Sequence, residues 1–316
     1  MASAVSSSAS VSRLIWIAAL ATALAGCGLG AGTPPSSIQL TVTDDFGAHV
    51  LQGSGGPLKV VGQETVMSLL MRNYTVETRF GGGFVQSINA LSGDQQGSEP
   101  VAWFYYVNGL QAVKGAAATD VHAGDHIWWD RHDWSQTEDV PAVVGSYPEP
   151  FLNGYGGKRY PVRIGCASVT SHACRAVTAQ LRGEGVPAAI AAVGGGPEPE
   201  VLQVVVGPWK TIVSAPGALA LRDAPGKSGV YARFGADGSK LTLLDANGRA
   251  VRTLSAGAGL VAATRQEEEA PVWVITGTDE AGVNRAAEAL NSVTLDDHFA
   301  VALAPQGAVP VPVVER

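Results

Sequence analysis

The sequence predicts an α+β protein in two parts: a mixed sheet crossed by one helix, then an α/β region in which strands and helices take turns. Three observations carry this expectation. Between residues 38 and 134, four short segments of strand character surround a single segment with helical spacing. From residue 159 the pattern changes to alternating strands and helices. The Pro/Gly-rich run VPAVVGSYPEPFLNGYGGK separates the two, so the sequence places a first domain at 38–140, a linker at 141–158 and a second domain at 159–316.

The chain opens with LIWIAALATALAG after Arg13, an apolar stretch shorter than the roughly 20 residues of a membrane-spanning helix. Its length suits the h-region of a secretory signal. It ends in Leu24, Ala25, Gly26 and Cys27, an apolar residue, two small ones and a cysteine. This resembles the lipobox of bacterial lipoproteins, and the resemblance implies that residues 1–26 are a signal peptide and that Cys27 is the lipidated first residue of the mature chain. Acyl chains bury about 0.8 kcal/mol per CH₂, enough together to hold the protein on the extracytoplasmic face of the cell membrane. Residues 27–37 read as a Gly/Pro/Ser tether.

Removing residues 1–26 takes away one basic residue and leaves 20 Lys/Arg against 28 Asp/Glu. An acidic balance of that size argues against nucleic acid as a partner. In an oxidising compartment the two remaining cysteines, Cys166 and Cys174, are expected to form a disulfide. A metal reading of the same pair needs further ligands, and His172 alone lies near in sequence.

Element by element, IQLTVT at 38–43 alternates with Ile38, Leu40 and Val42 on one face of a strand. ETVMSLLMRNY places Val66, Leu69, Leu70 and Asn73 at helical spacing. VQSINAL, AWFYYVNG and DHIWWDRHDW read as three more strands, the second ending in an Asn-Gly turn signal. Beyond the linker come YPVRIGC, a helix through Cys174, Val177 and Leu181, then PAAIAAV and VLQVVVG. Hairpins follow at Asp237-Gly238 and Asn247-Gly248; PVWVITG then feeds a helix over Val283, Ala286, Ala287 and Leu290 that Thr278 could cap, and HFAVAL closes as a strand.

Aromatic residues concentrate in one place. Residues 103–134 hold four of the seven tryptophans and three of the six histidines. Alternation puts Ile127 and Trp129 on one face of their strand and His126, Trp128, Asp130, His132 and Trp134 on the other. The first face belongs in a core. The second mixes indoles, imidazoles and a carboxylate, which suits a wet cleft better than dry packing. WFYYVNG, the loop with Gly115 and Ala116, and HAGDHIWW together resemble the bacterial domains related to the C-terminal β-grasp domain of transcobalamin and intrinsic factor, over residues 38–135. The resemblance implies a β-grasp-like fold for the first domain and a corrinoid as a candidate ligand.

Candidate ligand-binding residues are therefore Trp103, Tyr105, Tyr106, Asn108, His126, Trp128, His132 and Trp134. The other reading of the aromatics is that they only build the sheet. His122, His126 and His132 match no closed metal spacing. GKS at 226–228 fails as a phosphate loop because Leu221 stands where its first glycine belongs, and the chain holds neither GxSxG nor HExxH. With no catalytic constellation, no metal set and no cofactor other than that corrinoid, the expected function is non-enzymatic: a lipid-anchored binding protein that captures a small ligand for an envelope transporter. The alternative is a structural or adhesive envelope protein that binds another macromolecule.

Overall fold

The computed structural model describes residues 1–2, 36–51, 55–194, 198–215, 217–223, 225–266 and 269–314. Cys27, the signal segment and most of the tether lie outside the described residues. Residues 35–316 form one compact unit.

The first sheet is built on the strand His126–Asp133. Ser37–Asp44 pairs with it in parallel, aligning Val42 with Trp129, and Glu99–Val107 pairs antiparallel on its other side, aligning Tyr105 with Trp129 and Tyr106 with Trp128. The helix Val66–Asn73 buries Val66, Met67, Leu69 and Leu70. These join Ile38, Leu40, Val42, Ile127 and Trp129 in one core. Thr65 caps the helix by accepting from the Ser68 amide, while Glu64, half a turn earlier, takes Arg72 in a 2.9 Å ion pair. A mixed sheet with one helix across it is the expected first domain. One expected strand falls elsewhere: Phe84–Ile88 pairs with Val76–Arg79 and Leu91–Ser92 in a separate three-stranded sheet.

The second sheet has seven strands in the order Ala188–Ala192, Val162–Cys166, Leu202–Pro208, Val272–Gly277, Gly259–Thr264, Ala300–Ala304, Gly307–Val311. The first four are parallel and the last three antiparallel. The helices His172–Gly183 and Glu280–Glu288 share a core with one face of it through Val177, Leu181, Val283 and Ala286. Asp279, not Thr278, caps the later helix, its carboxylate accepting from the Gly282 amide at 2.9 Å. Cys166 ends its strand and is disulfide-bonded to Cys174 on the helix that follows, with Cα atoms 5.9 Å apart. Two strands escape the alternation test: Gly259–Thr264 is buried throughout, so its sequence shows no polar face, and Gly307–Val311 carries Pro310 on the sheet edge.

Residues 141–158 are not an open connection. Ala142, Val143, Val144, Tyr147 and Phe151 are buried, and Val143 sits in one core while Val144, Tyr147 and Phe151 sit in another. The run therefore stitches the two sheets together. The opposite face of the second sheet, with Val205, Leu260, Ala262, Val274 and Ala302, shares its core with Phe46, Tyr106 and Trp128 of the first.

Candidate functional site

The strand His126–Asp133 alternates as expected, but every one of its residues is buried. Trp129 stacks on Tyr105 at 4.9 Å on the helix side, where Trp103 also lies and donates from its indole nitrogen to the Leu91 carbonyl. Tyr105 donates to the Lys114 carbonyl, and burial raises its phenol above the usual range. On the other face Trp128 and Tyr106 are both 0% exposed and meet Phe299 at 5.2 and 5.7 Å. The expected wet cleft is filled by the second half of the chain, and the tryptophan there is core.

The polar members of that face have internal partners. Asp130 accepts from Thr43 Oγ1, from the Phe46 and Gly47 amides, and from His132 Nδ1 at 2.8 Å. Two backbone amides, a hydroxyl and an imidazole N–H together compensate a carboxylate that has left water. The same bonds hold the turn at Asp45, Phe46 and Gly47, all three with positive φ. His132 lies between rings, 4.4 Å from Phe104 and 4.6 Å from Phe46. Trp128 Nε1 donates to Thr43 Oγ1 at 2.7 Å.

Asn108 and His126 are likewise bonded within the protein. Asn108 has φ 54°, as the Asn-Gly turn requires, and no exposed surface. Its Nδ2 donates to Asp125 Oδ1 and to the Gly154 carbonyl, and its Oδ1 accepts from the His126 amide. Asn-Gly and Gly-Asp, the two halves of the sequence signature, thus lock to each other and to the 141–158 run. All the side chain's hydrogen-bonding capacity towards protein neighbours is in use, except one lone pair of its oxygen. His126 shares a 2.9 Å hydrogen bond with Thr41 Oγ1, and burial pushes its imidazole down to about 4.

His126, Asp125 and Glu149 border a smaller cleft of about 390 Å³. Glu149 accepts from the Asn153 amide at 2.8 Å, yet burial, with a smaller push from Asp125, raises its carboxyl to about 7. Among the described residues no group of three or more His, Cys, Asp or Glu side chains is placed to hold a metal ion.

Trp134 has a different fate. It is 39% exposed, just past the end of its strand, and it borders an open groove of about 940 Å³. Residues 134–139 and Pro141 supply one part of the lining, Gln111, Ala112 and Val113 another, and Gly226, Lys227 and Arg265 the rest. Gln111 Nε2 donates to Asp139 Oδ1 at 3.0 Å, while Gln111 Oε1 is buried without a donor. A second depression of about 700 Å³ adjoins through the shared Lys227 and Arg265. Of the eight expected ligand-binding residues, the structure places Trp134 alone on this groove. Sequence reasoning missed Gln111, Glu138, Asp139 and Arg265, which carry no motif; Lys227 falls within the rejected GKS.

The described residues form an α+β architecture dominated by two seven-stranded sheets, with an open groove of mixed polar and apolar lining. A family model for a domain of unknown function, DUF4430, matches residues 63–133, the helix and aromatic strands of the first half. No curated protein matches the chain. A solved structure from Ruminococcus gnavus, described as a "putative metal binding protein", is similar at 15% identity, covering 31% of this chain and 97% of that one. Its TM-score of 0.23 is too low to carry an argument about this chain.

Proposed function

We propose that the chain is an extracytoplasmic binding protein, anchored through a lipid on Cys27, that captures a small ligand in the groove bordered by Trp134 and hands it to an envelope transporter. The single observation that carries this reading is a partly exposed indole on a groove of about 940 Å³ whose lining also carries amide and charged side chains. That volume falls in the usual range for small-molecule sites of roughly 300–1,000 Å³. An indole gives such a site a flat stacking face, and amides and charges fix the ligand's orientation.

The LAGC run supports the anchor, and Cys27→Ala is the direct test. The variant should leave the membrane fraction; retention there overturns the anchor. For the groove, calorimetric titration of the full chain with a ligand panel that includes cobalamin should give at least one saturable isotherm that Trp134→Ala weakens. Binding that Trp134→Ala leaves unchanged overturns the groove as the site.

A further inference from the structure

We propose that the strand Ala188–Ala192 pairs with the same strand of a second copy of this chain, joining two seven-stranded sheets edge to edge. This strand ends its sheet: it pairs with Val162–Cys166 on one side, and among the described residues nothing pairs with its other side. An open edge presents unpaired N–H and C=O groups to any further strand, and folded proteins commonly protect such edges with proline, charge, a bulge or extreme shortness. The other ends of the two large sheets are protected in this way. The far end of the same sheet carries Pro310, and the first sheet ends in strands of two residues each, His49–Val50 and Gln95–Gln96. Ala188–Ala192 has five residues in unbroken register, none of them charged and none a proline, and Ile190 is 48% exposed.

Two features of the edge select a second copy as its partner. The Val193 amide donates to the Cys166 carbonyl at 2.8 Å, so residues 189, 191 and 193 turn their backbone groups into the sheet, while Ala188, Ile190 and Ala192 turn theirs outward. The sequence AAIAA also reads the same in both directions. An antiparallel pairing about a two-fold axis at Ile190 therefore sets an outward residue against an outward residue throughout, Ile190 on Ile190 and Ala188 on Ala192, and forms about six hydrogen bonds. Such an axis stands perpendicular to the sheet and keeps the helices of both copies on one side. Ile190 is in register with the buried Ile164, so its copy across the axis would cover the apolar side chain that one chain leaves exposed. A strand pair falls short of the roughly 800 Å² per partner of a standard interface, which sets this dimer among the weak ones.

The test uses the full chain with Cys27→Ala, in detergent, in which the Cys166–Cys174 bond leaves no free thiol of its own. By sedimentation equilibrium its mass should rise from one chain towards two between about 10 μM and 1 mM. Ile190→Lys, which sets like charges opposite each other at the axis, should hold it at one chain throughout. Under mild oxidation Ile190→Cys should cross-link to itself, because opposed residues of such a pair lie about 5.5 Å apart between Cα atoms, within disulfide reach. Ala188→Cys and Ala192→Cys should each fail to cross-link alone, their copies lying roughly 13 Å apart, yet should cross-link when the two variants are mixed. A parent that stays at one chain at the highest concentration overturns the proposal. So does a dimer that Ile190→Lys leaves intact, or one in which Ala188→Cys and Ala192→Cys cross-link alone as readily as Ile190→Cys. Should Ile190→Lys melt well below the parent, the cross-linking pattern decides by itself.

Discussion

Trp128 and Trp134 are six residues apart and carry the same parity along one run of chain, yet one is 0% and the other 39% exposed. Alternation places a side chain on a face; it does not say what covers that face. Over Trp128 lie Phe299 and the glycines of two close approaches. A Cβ on Gly145 would come within 2.8 Å of the Trp128 ring, and one on Gly47 within 1.8 Å of the Asp297 carbonyl oxygen. Trp134 lies beyond the strand's last residue, Asp133, and beyond this cover. The same residue type thus acts as core in one place and as the wall of a groove in the other.

The largest expected effect tests the covered half of that comparison. Trp128→Ala and Trp129→Ala should each destabilise by about 3–5 kcal/mol, because each removes a large buried side chain from a packed core. Denaturant unfolding of both variants checks this. A Trp128→Ala protein as stable as the parent would mean that the two sheets do not close over this face.

Removing the disulfide should cost less, about 2–3 kcal/mol in the loop-entropy model, since the loop between Cys166 and Cys174 is short. The Cys166→Ala, Cys174→Ala double variant and the parent, unfolded side by side without reductant, measure the difference. This pair lies in the core under the helices, away from both tryptophans. Its loss should lower stability and leave any Trp134-dependent binding intact.

A pH effect is expected at the 390 Å³ cleft. Glu149 is raised to about 7 in the fold from 4.5 for the free side chain, so folding favours its protonated form. Its contribution to stability is fully present below pH 4.5 and is lost as the pH rises through 7. His126 has the opposite sign. Its imidazole falls from 6.5 to about 4, so its contribution is present above 6.5 and lost as the pH falls through 4. Glu149→Gln forfeits one acceptor for Asn153 and will shift stability at every pH, so the diagnostic is the slope. Between pH 4.5 and 7 the variant should lose less stability than the parent; parallel curves would show that Glu149 is not held protonated by burial.

Much of the fold was legible because it rests on local rules. Apolar spacing at Val66, Leu69 and Leu70 located the helix, and period-two alternation located the strands that meet in the register Val42, Trp129, Tyr105. The Cys166–Cys174 bond followed from a strand and a helix adjacent in sequence. The long-range terms were not legible. Asp130 is satisfied by Thr43, Phe46 and Gly47, more than 80 residues away, so a carboxylate that reads as a wet edge is a buried node. Residues 141–158 read as a linker because Pro and Gly dominate them, yet their Val, Tyr and Phe side chains bridge two cores. The groove brings together Gln111, Trp134, Lys227 and Arg265 from four separate stretches, and no spacing rule joins those.

The smallest expected effect on stability is the one that decides function. Trp134→Ala removes a partly exposed indole whose backbone amide stays bonded to the Pro100 carbonyl, at 3.1 Å, and whose side chain belongs to no described core cluster. Surface substitutions of that kind stay within about 0.5 kcal/mol, so the unfolding midpoint should barely move. An indole that anchors a bound ligand is worth roughly 1–3 kcal/mol, so affinity for any ligand of the groove should fall about tenfold or more. Trp128→Ala should behave inversely, losing stability first and binding only through unfolding. Measured together by thermal melting and calorimetry, the two variants should separate along different axes. If Trp134→Ala instead costs as much stability as Trp128→Ala, the residue at the groove is structural and the whole aromatic stretch serves the sheets alone.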